Sequence, residues 1–141
     1  MDILTVIERV VAERPMTVAG IERLAGCRLR EDPGNSNPYI RLYRAGGARS
    51  PIRTVELRLP KAGATRKDGL LILELDDRAA GLRQADLVAR FGPDFTLDVP
   101  TPDYPPDYPA YTIYSYPWGD LRLGLRRASG LLETVVIDAE R

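Results

Sequence analysis

The residues best suited to chemistry in this chain are carboxylates and tyrosines, and they crowd into one stretch. Pro102-Asp103-Tyr104-Pro105 is followed at once by Pro106-Asp107-Tyr108-Pro109, one tetrapeptide written twice, and Tyr111, Tyr114, Tyr116 and Trp118 come soon after. Paired carboxylates such as Asp103 with Asp107, or Asp76 with Asp77, are the raw material of glycosidase-type acid/base catalysis, in which one carboxyl gives a proton while the other attacks or activates water. Aspartate among prolines is also ordinary solvated turn chemistry. The chain holds no histidine. That removes Ser/His/Asp and Cys/His nucleophilic catalysis, the commonest metal ligand and the usual proton shuttle near neutral pH. Calcium suits oxygen-rich loops, but no D-x-D-x-D-G order is present. Gly46-Gly47 and Gly63 lack the spacing of a phosphate loop and the helix that should follow it. Cys27 has neither a second thiol nor a recognisable base, and reads as a small buried apolar side chain. The expectation is no catalytic residue, no metal and no cofactor.

The same stretch is better suited to recognition. Each proline fixes its own φ and biases the preceding residue toward extended geometry, so Tyr104 and Tyr108 are expected to be extended and to have little backbone entropy left to lose on binding. The expected partner-binding residues are Asp103, Tyr104, Asp107, Tyr108, Tyr114, Tyr116 and Trp118, since tyrosine and tryptophan anchor many protein interfaces. The other reading is a stiff connector whose tyrosines fold back over a sheet. Pro105-Pro106-Asp107-Tyr108 also fits the PPxY pattern that WW domains read in a polyproline helix. No cation occurs between Pro93 and Arg122, while Asp94, Asp98, Asp103 and Asp107 all do. Such an anionic, aromatic segment is complementary to a basic protein surface, for example that of a cationic toxin or enzyme.

Composition bounds the rest. The 141 residues, 44% of them hydrophobic, suffice for one domain with a real core, taken as 1–141. Early charges in MDILTVIERVVAERP interrupt any signal-like or membrane-spanning run. A cytoplasmic location is expected, or a periplasmic one if a leader has been removed. Formal charge is zero, but residues 1–70 hold 13 Lys/Arg against 8 Asp/Glu and residues 71–141 hold 7 against 12. Folding could either separate or intermix these charges. Without a basic excess, neither nucleic acid nor a membrane surface is an expected partner.

The elements that must position these residues can be read from periodicity. Ile3, Leu4, Ile7, Val10 and Val11 recur at helical spacing, giving a helix over 2–13 that Pro15 stops. Thr17 caps a second helix that ends at Gly26. EDPGNSNP, residues 31–38, is a loop. Period-two alternation marks strands at 39–44, with Ile40 and Leu42 opposite Arg41 and Tyr43, and at 52–59. PKAGATRKDG leads to a third strand, 70–75. A helix over 82–91 stops at Gly92-Pro93, a long Pro/Asp-rich stretch runs from Pro93 to Ala110, and strands follow at 111–116, 121–125 and 131–137. Turns are expected at Trp118-Gly119-Asp120 and Ala128-Ser129-Gly130. In the first of these strands Tyr111, Ile113 and Ser115 share one face, and Thr112, Tyr114 and Tyr116 the other. Only one face is expected to be covered by helix.

The order short helix, loop, three antiparallel strands occurs twice, and IERLAG resembles VARFG as GLLILELD resembles GLLETVVID. The expected fold is α+β, an internal repeat of about 17–76 and 83–138 with an extra N-terminal helix and with helices packed on one face of an antiparallel sheet. The helix closing on Arg-Phe-Gly-Pro, the strand YTIYSYPWGD and the hairpin LRLGLRRASGLLETVVID together resemble one repeat of the β-lactamase-inhibitor-protein-like group. That group includes small outer-membrane lipoproteins of the SmpA/OmlA type. The resemblance covers 83–138 best and 17–76 more faintly. It implies a sheet with one face free to meet a protein, and a role as a binding inhibitor, foremost a bacterial immunity protein against a cognate toxin or enzyme. No lipobox cysteine matches, since Cys27 follows a helix. Two other readings stand beside it: a ligand-binding or enzymatic cleft using Asp103, Asp107 or Arg122, and a structural domain of a larger assembly.

Overall fold

The computed structural model describes residues 1–61 and 68–139. Most of the expected connector PKAGATRKDG, Gly63 included, lies outside the described residues. The helices begin and end where local chemistry dictates. In α1 (Ile3–Ala12) the Asp2 carboxylate accepts a hydrogen bond from the Thr5 N–H at 2.8 Å, filling one of the donors a helix start leaves open. In α2 (Val18–Ala25) the Thr17 hydroxyl does the same for Gly20 at 3.0 Å, and Gly26, at φ 65°, ends the helix in the left-handed region.

Two helical expectations change. A four-residue helix α3 (Asp77–Ala80) follows the strand over 70–75, capped by Asp76, whose carboxylate accepts from the Ala79 N–H at 3.1 Å. The Asp76-Asp77 pair is thus a helix start. The next helix, α4 (Gln84–Phe91), begins two residues later than periodicity suggests, because the Leu82 carbonyl accepts from the Leu132 N–H at 2.8 Å.

Among the described residues eight strands form one antiparallel sheet: β1 (Arg30–Glu31), β2 (Ile40–Gly46), β3 (Ile52–Pro60), β4 (Leu70–Leu75), β5 (Thr96–Asp98), β6 (Ala110–Tyr116), β7 (Gly119–Leu125) and β8 (Leu132–Asp138). Their order is β1-β2-β3-β4-β8-β7-β6-β5. Six of them match the expected strands to within a residue or two. The short border strands β1 and β5 fall at the edge of one expected loop and inside the other; propensity does not signal them, because they exist by pairing with β2 and β6. The β6–β7 turn is made by Pro117-Trp118, so Gly119 and Asp120, expected in the turn, already pair in β7. Gly119 sits at φ 153°, and a Cβ there would lie 1.9 Å from the Asp138 carbonyl oxygen.

The registers align two rows of buried side chains across the sheet. Leu57, Leu71, Ile137 and Leu121 form one row, ending at Tyr114; Val55, Leu73, Val135 and Leu123 form the next, ending at Thr112. The apolar members of both rows belong to one buried cluster with Ile3, Val6, Ile7 and Val10 of α1, Ile21 and Leu24 of α2 and Leu87 of α4. Each such aliphatic side chain contributes about 1.5–3 kcal/mol by leaving water. In β2 the expected sides are exchanged. Tyr43 and Ala45, in register with Leu57 and Val55, pack against the cluster, whereas Leu42 is buried apart from it. The 31–38 loop explains the exchange, since Ser36 Oγ accepts from the Leu42 N–H at 3.1 Å and the Asp32 N–H donates to the Leu42 carbonyl at 2.7 Å.

Candidate interaction surface

The repeated tetrapeptide joins β5 to β6, and it bends where extension was expected. The Tyr104 N–H donates to the Thr101 carbonyl at 3.1 Å and the Tyr108 N–H to the Pro105 carbonyl at 3.0 Å, closing two successive β-turns with Pro second, Asp third and Tyr fourth in each. Proline and aspartate are at home in those positions, and the pre-proline restriction falls on the tyrosines and leaves Pro-Asp free to turn. A chain folded this way is not the polyproline helix a WW domain reads.

Repeating one turn repeats its display. The Tyr104 and Tyr108 rings lie 4.9 Å apart, and Tyr111, the second residue of β6, meets Tyr108 edge-on at 6.2 Å. Gly124 of β7 makes room for this ladder: a Cβ there would lie 3.0 Å from Tyr111 Cε1 and 3.3 Å from Pro109. The Arg127 side chain, from the β7–β8 turn, donates through Nε to the Tyr108 carbonyl at 2.9 Å and through Nη2 to the Pro105 carbonyl at 2.7 Å. One guanidinium thus holds both turns, as its planar fork allows.

Asp103, Tyr104, Asp107 and Tyr108 are all exposed. Among the described residues six large hydrophobic side chains are exposed, and four of them, Leu97, Val99, Tyr104 and Tyr108, lie within this edge and loop. The exposure is therefore concentrated, as it is on binding surfaces.

The other three expected residues lie elsewhere. Tyr114 is 3% exposed; its ring packs 5.7 Å from Phe91 and 5.8 Å from Phe95, and its hydroxyl donates to the Gly92 carbonyl at 2.8 Å. It anchors α4 to the sheet and has no surface to offer. Tyr116 and Trp118 stack at 5.1 Å and 6°, and the Arg14 guanidinium lies 4.2 Å over the Trp118 ring. That cation–aromatic stack sits at the far end of β6, about 20 Å of strand from the loop.

Sequence reasoning missed Tyr111 and Arg127. The signal for Tyr111 was its alternation with Tyr114, which puts the two on opposite faces; for Arg127 none exists, since its partners lie 19 and 22 residues away. Tyr111 shares its sheet face with Arg122, Thr134 and Glu74, through the registers of β6 to β4. Burial pushes the Tyr111 hydroxyl above its ordinary range, and Tyr108, Glu74 and Glu133 add to it. Glu74 stays exposed over part of its surface, yet desolvation raises its carboxyl, Thr134 lowers it by hydrogen bonding and Glu56 raises it again. Among the described residues no cluster of three or more Asp, Glu or Cys could hold a metal ion. None of their helices is long and apolar enough to cross a membrane.

No family model matches the chain, and no curated protein or solved structure matches it either. The family resemblance in the sequence rests on its own residues.

Proposed function

We propose that this protein acts by binding another protein through the Asp103–Tyr108 loop, as an inhibitor of the bacterial immunity-protein kind that blocks a cationic toxin or enzyme in the cytoplasm. One observation carries the reading: two successive Pro-Asp-Tyr turns, pinned by Arg127, present a paired Tyr104–Tyr108 surface flanked by two exposed carboxylates. A loop ordered beforehand loses little entropy on docking, and a tyrosine pair gives contact area at low conformational cost. Of the expected site, Asp103, Tyr104, Asp107 and Tyr108 are retained, Tyr111 joins them, and Tyr114, Tyr116 and Trp118 are left out.

The scaffold belongs to the same proposal. The strand order is two four-strand runs meeting at β4 and β8, each preceded by a short helix ending at glycine, which supports a tandem duplication with helices on one sheet face. The cleft alternative gains nothing from the cavities of about 400, 710 and 190 Å³, whose linings do not include Asp103, Asp107 or Arg122.

Affinity capture with the wild type, compared with a Tyr104→Ala/Tyr108→Ala variant, tests the reading. A basic protein retained by the wild type, released by salt and reduced at least tenfold on the variant is expected. Identical captured proteins and affinities would remove the loop from the account.

A further inference from the structure

The border of the sheet opposite the loop carries its electrostatic complement. A groove of about 710 Å³ opens between the end of α2 and the ends of β1 and β2, lined by Arg28, Arg30, Arg44, Cys27 and Gly46-Gly47. Arg30 stands directly across from Arg44 in the β1–β2 ladder, a like-charged pairing that is unfavourable unless something anionic lies near. Asp32 and Glu56 serve Arg44, at 3.6 and 3.4 Å. Glu22, also in the lining, accepts from the Leu29 N–H through Oε2 at 2.8 Å and leaves the groove with three arginines against one carboxylate. Among the described residues Arg28 and Arg30 have no ion-pair partner.

The loop and the groove are arranged for reciprocity. Gly46 pairs with Thr54 and Ile52 with Leu75, while Ala110 pairs with Leu125 and Leu125 with Leu132, so the β2 end that opens the groove and the β6 start that carries the loop lie at the same end of the sheet. They sit on either side of the β4–β8 seam, five strand spacings or about 24 Å apart. A twofold axis lying just beyond that end, in line with the seam and normal to the sheet, exchanges the two borders, bringing each copy's loop to the other's groove and closing the assembly as a dimer.

We infer that the arginine groove receives the Asp103–Asp107 loop of a second copy of this chain. Two exposed carboxylates then face two unpaired guanidiniums in each half of the contact, and the Tyr104 and Tyr108 rings offer faces on which arginine can stack. The inference rests on the loop being the recognition element proposed above and adds its regulation: the second copy covers the loop until a cationic partner displaces it.

Sedimentation velocity at about 100 μM and low salt is the test. The wild type is expected at about twice the 15.7 kDa chain mass, falling to one chain at about 0.5 M salt. Asp103→Lys/Asp107→Lys and Arg28→Glu/Arg30→Glu are each expected to be monomeric with unchanged circular dichroism. Their equimolar mixture regains a dimer, because one contact then pairs the native loop with the native groove and the other pairs the reversed loop with the reversed groove when the two variants join. A monomeric wild type, a dimer persisting in either variant, or a mixture of folded variants that stays monomeric would overturn the inference. A monomeric wild type that still captures a basic partner sinks the dimer alone; a dimer with no partner captured sinks the partner reading alone.

Discussion

Thr112 ends a cross-strand row of aliphatic side chains, fully buried, and among the described residues its hydroxyl has no hydrogen-bond partner. An unmatched hydroxyl in such a place costs stability, and valine has nearly its shape, so Thr112→Val is expected to stabilise by about 1–2 kcal/mol in urea unfolding. Gly119 is the opposite case. Its φ of 153° and the 1.9 Å approach to the Asp138 carbonyl leave no room for a methyl group, and Gly119→Ala should cost roughly 3 kcal/mol in the same measurement. Glu74 makes a prediction about pH. Its carboxyl is raised above the ordinary 4.5, chiefly by desolvation, so the folded state binds that proton more tightly than the unfolded one. The charged form is the unfavourable one. Glu74→Gln should therefore stabilise at pH 7, with the gain shrinking as pH falls through the raised value and gone below the ordinary 4.5. Asp2, Asp32 and Asp76 behave inversely. Hydrogen bonds hold them below the ordinary 3.8, so their contribution is complete above that value and is lost as pH drops through the lowered ones.

Elements test how well short-range rules place structure. Thr17→Ala removes the α2 cap and should cost about 1 kcal/mol in thermal or urea unfolding. Arg127 acts through its bonds to the two loop carbonyls. Arg127→Ala should leave global stability within about 0.5 kcal/mol while speeding amide exchange at Tyr104 and Tyr108, whose N–H groups close the two turns. These contrasts mirror what the sequence makes legible. Caps, glycine stops and two-residue alternation are local, so α1, α2, β3, β4 and β8 can be read within a few residues of where they lie. The bend of the Pro-Asp-Tyr repeat is local too, each turn closing within four residues, but the pre-proline rule taken alone reads as extension; the side on which Leu42 is buried and the border strands depend on partners outside the element itself. For the same reason Tyr114 looked like surface: alternation assigns it a face, and only the approach of Phe91 and Phe95 shows that the face is covered.

At the scale of the molecule, the strand order keeps β1–β4 on one side of the β4–β8 seam and β5–β8 on the other, and the two sides differ in charge: five arginines against three glutamates in β1–β4, one arginine against four carboxylates in β5–β8. Partner capture and self-association should both weaken steeply as salt rises from about 0.05 to 0.5 M. The sheet's borders carry one more consequence. β1 has two residues and β5 three, with Pro100 soon after. A neighbouring chain finds too few free amide and carbonyl groups there to lengthen the ladder, so the protein can be concentrated without templating fibres of itself.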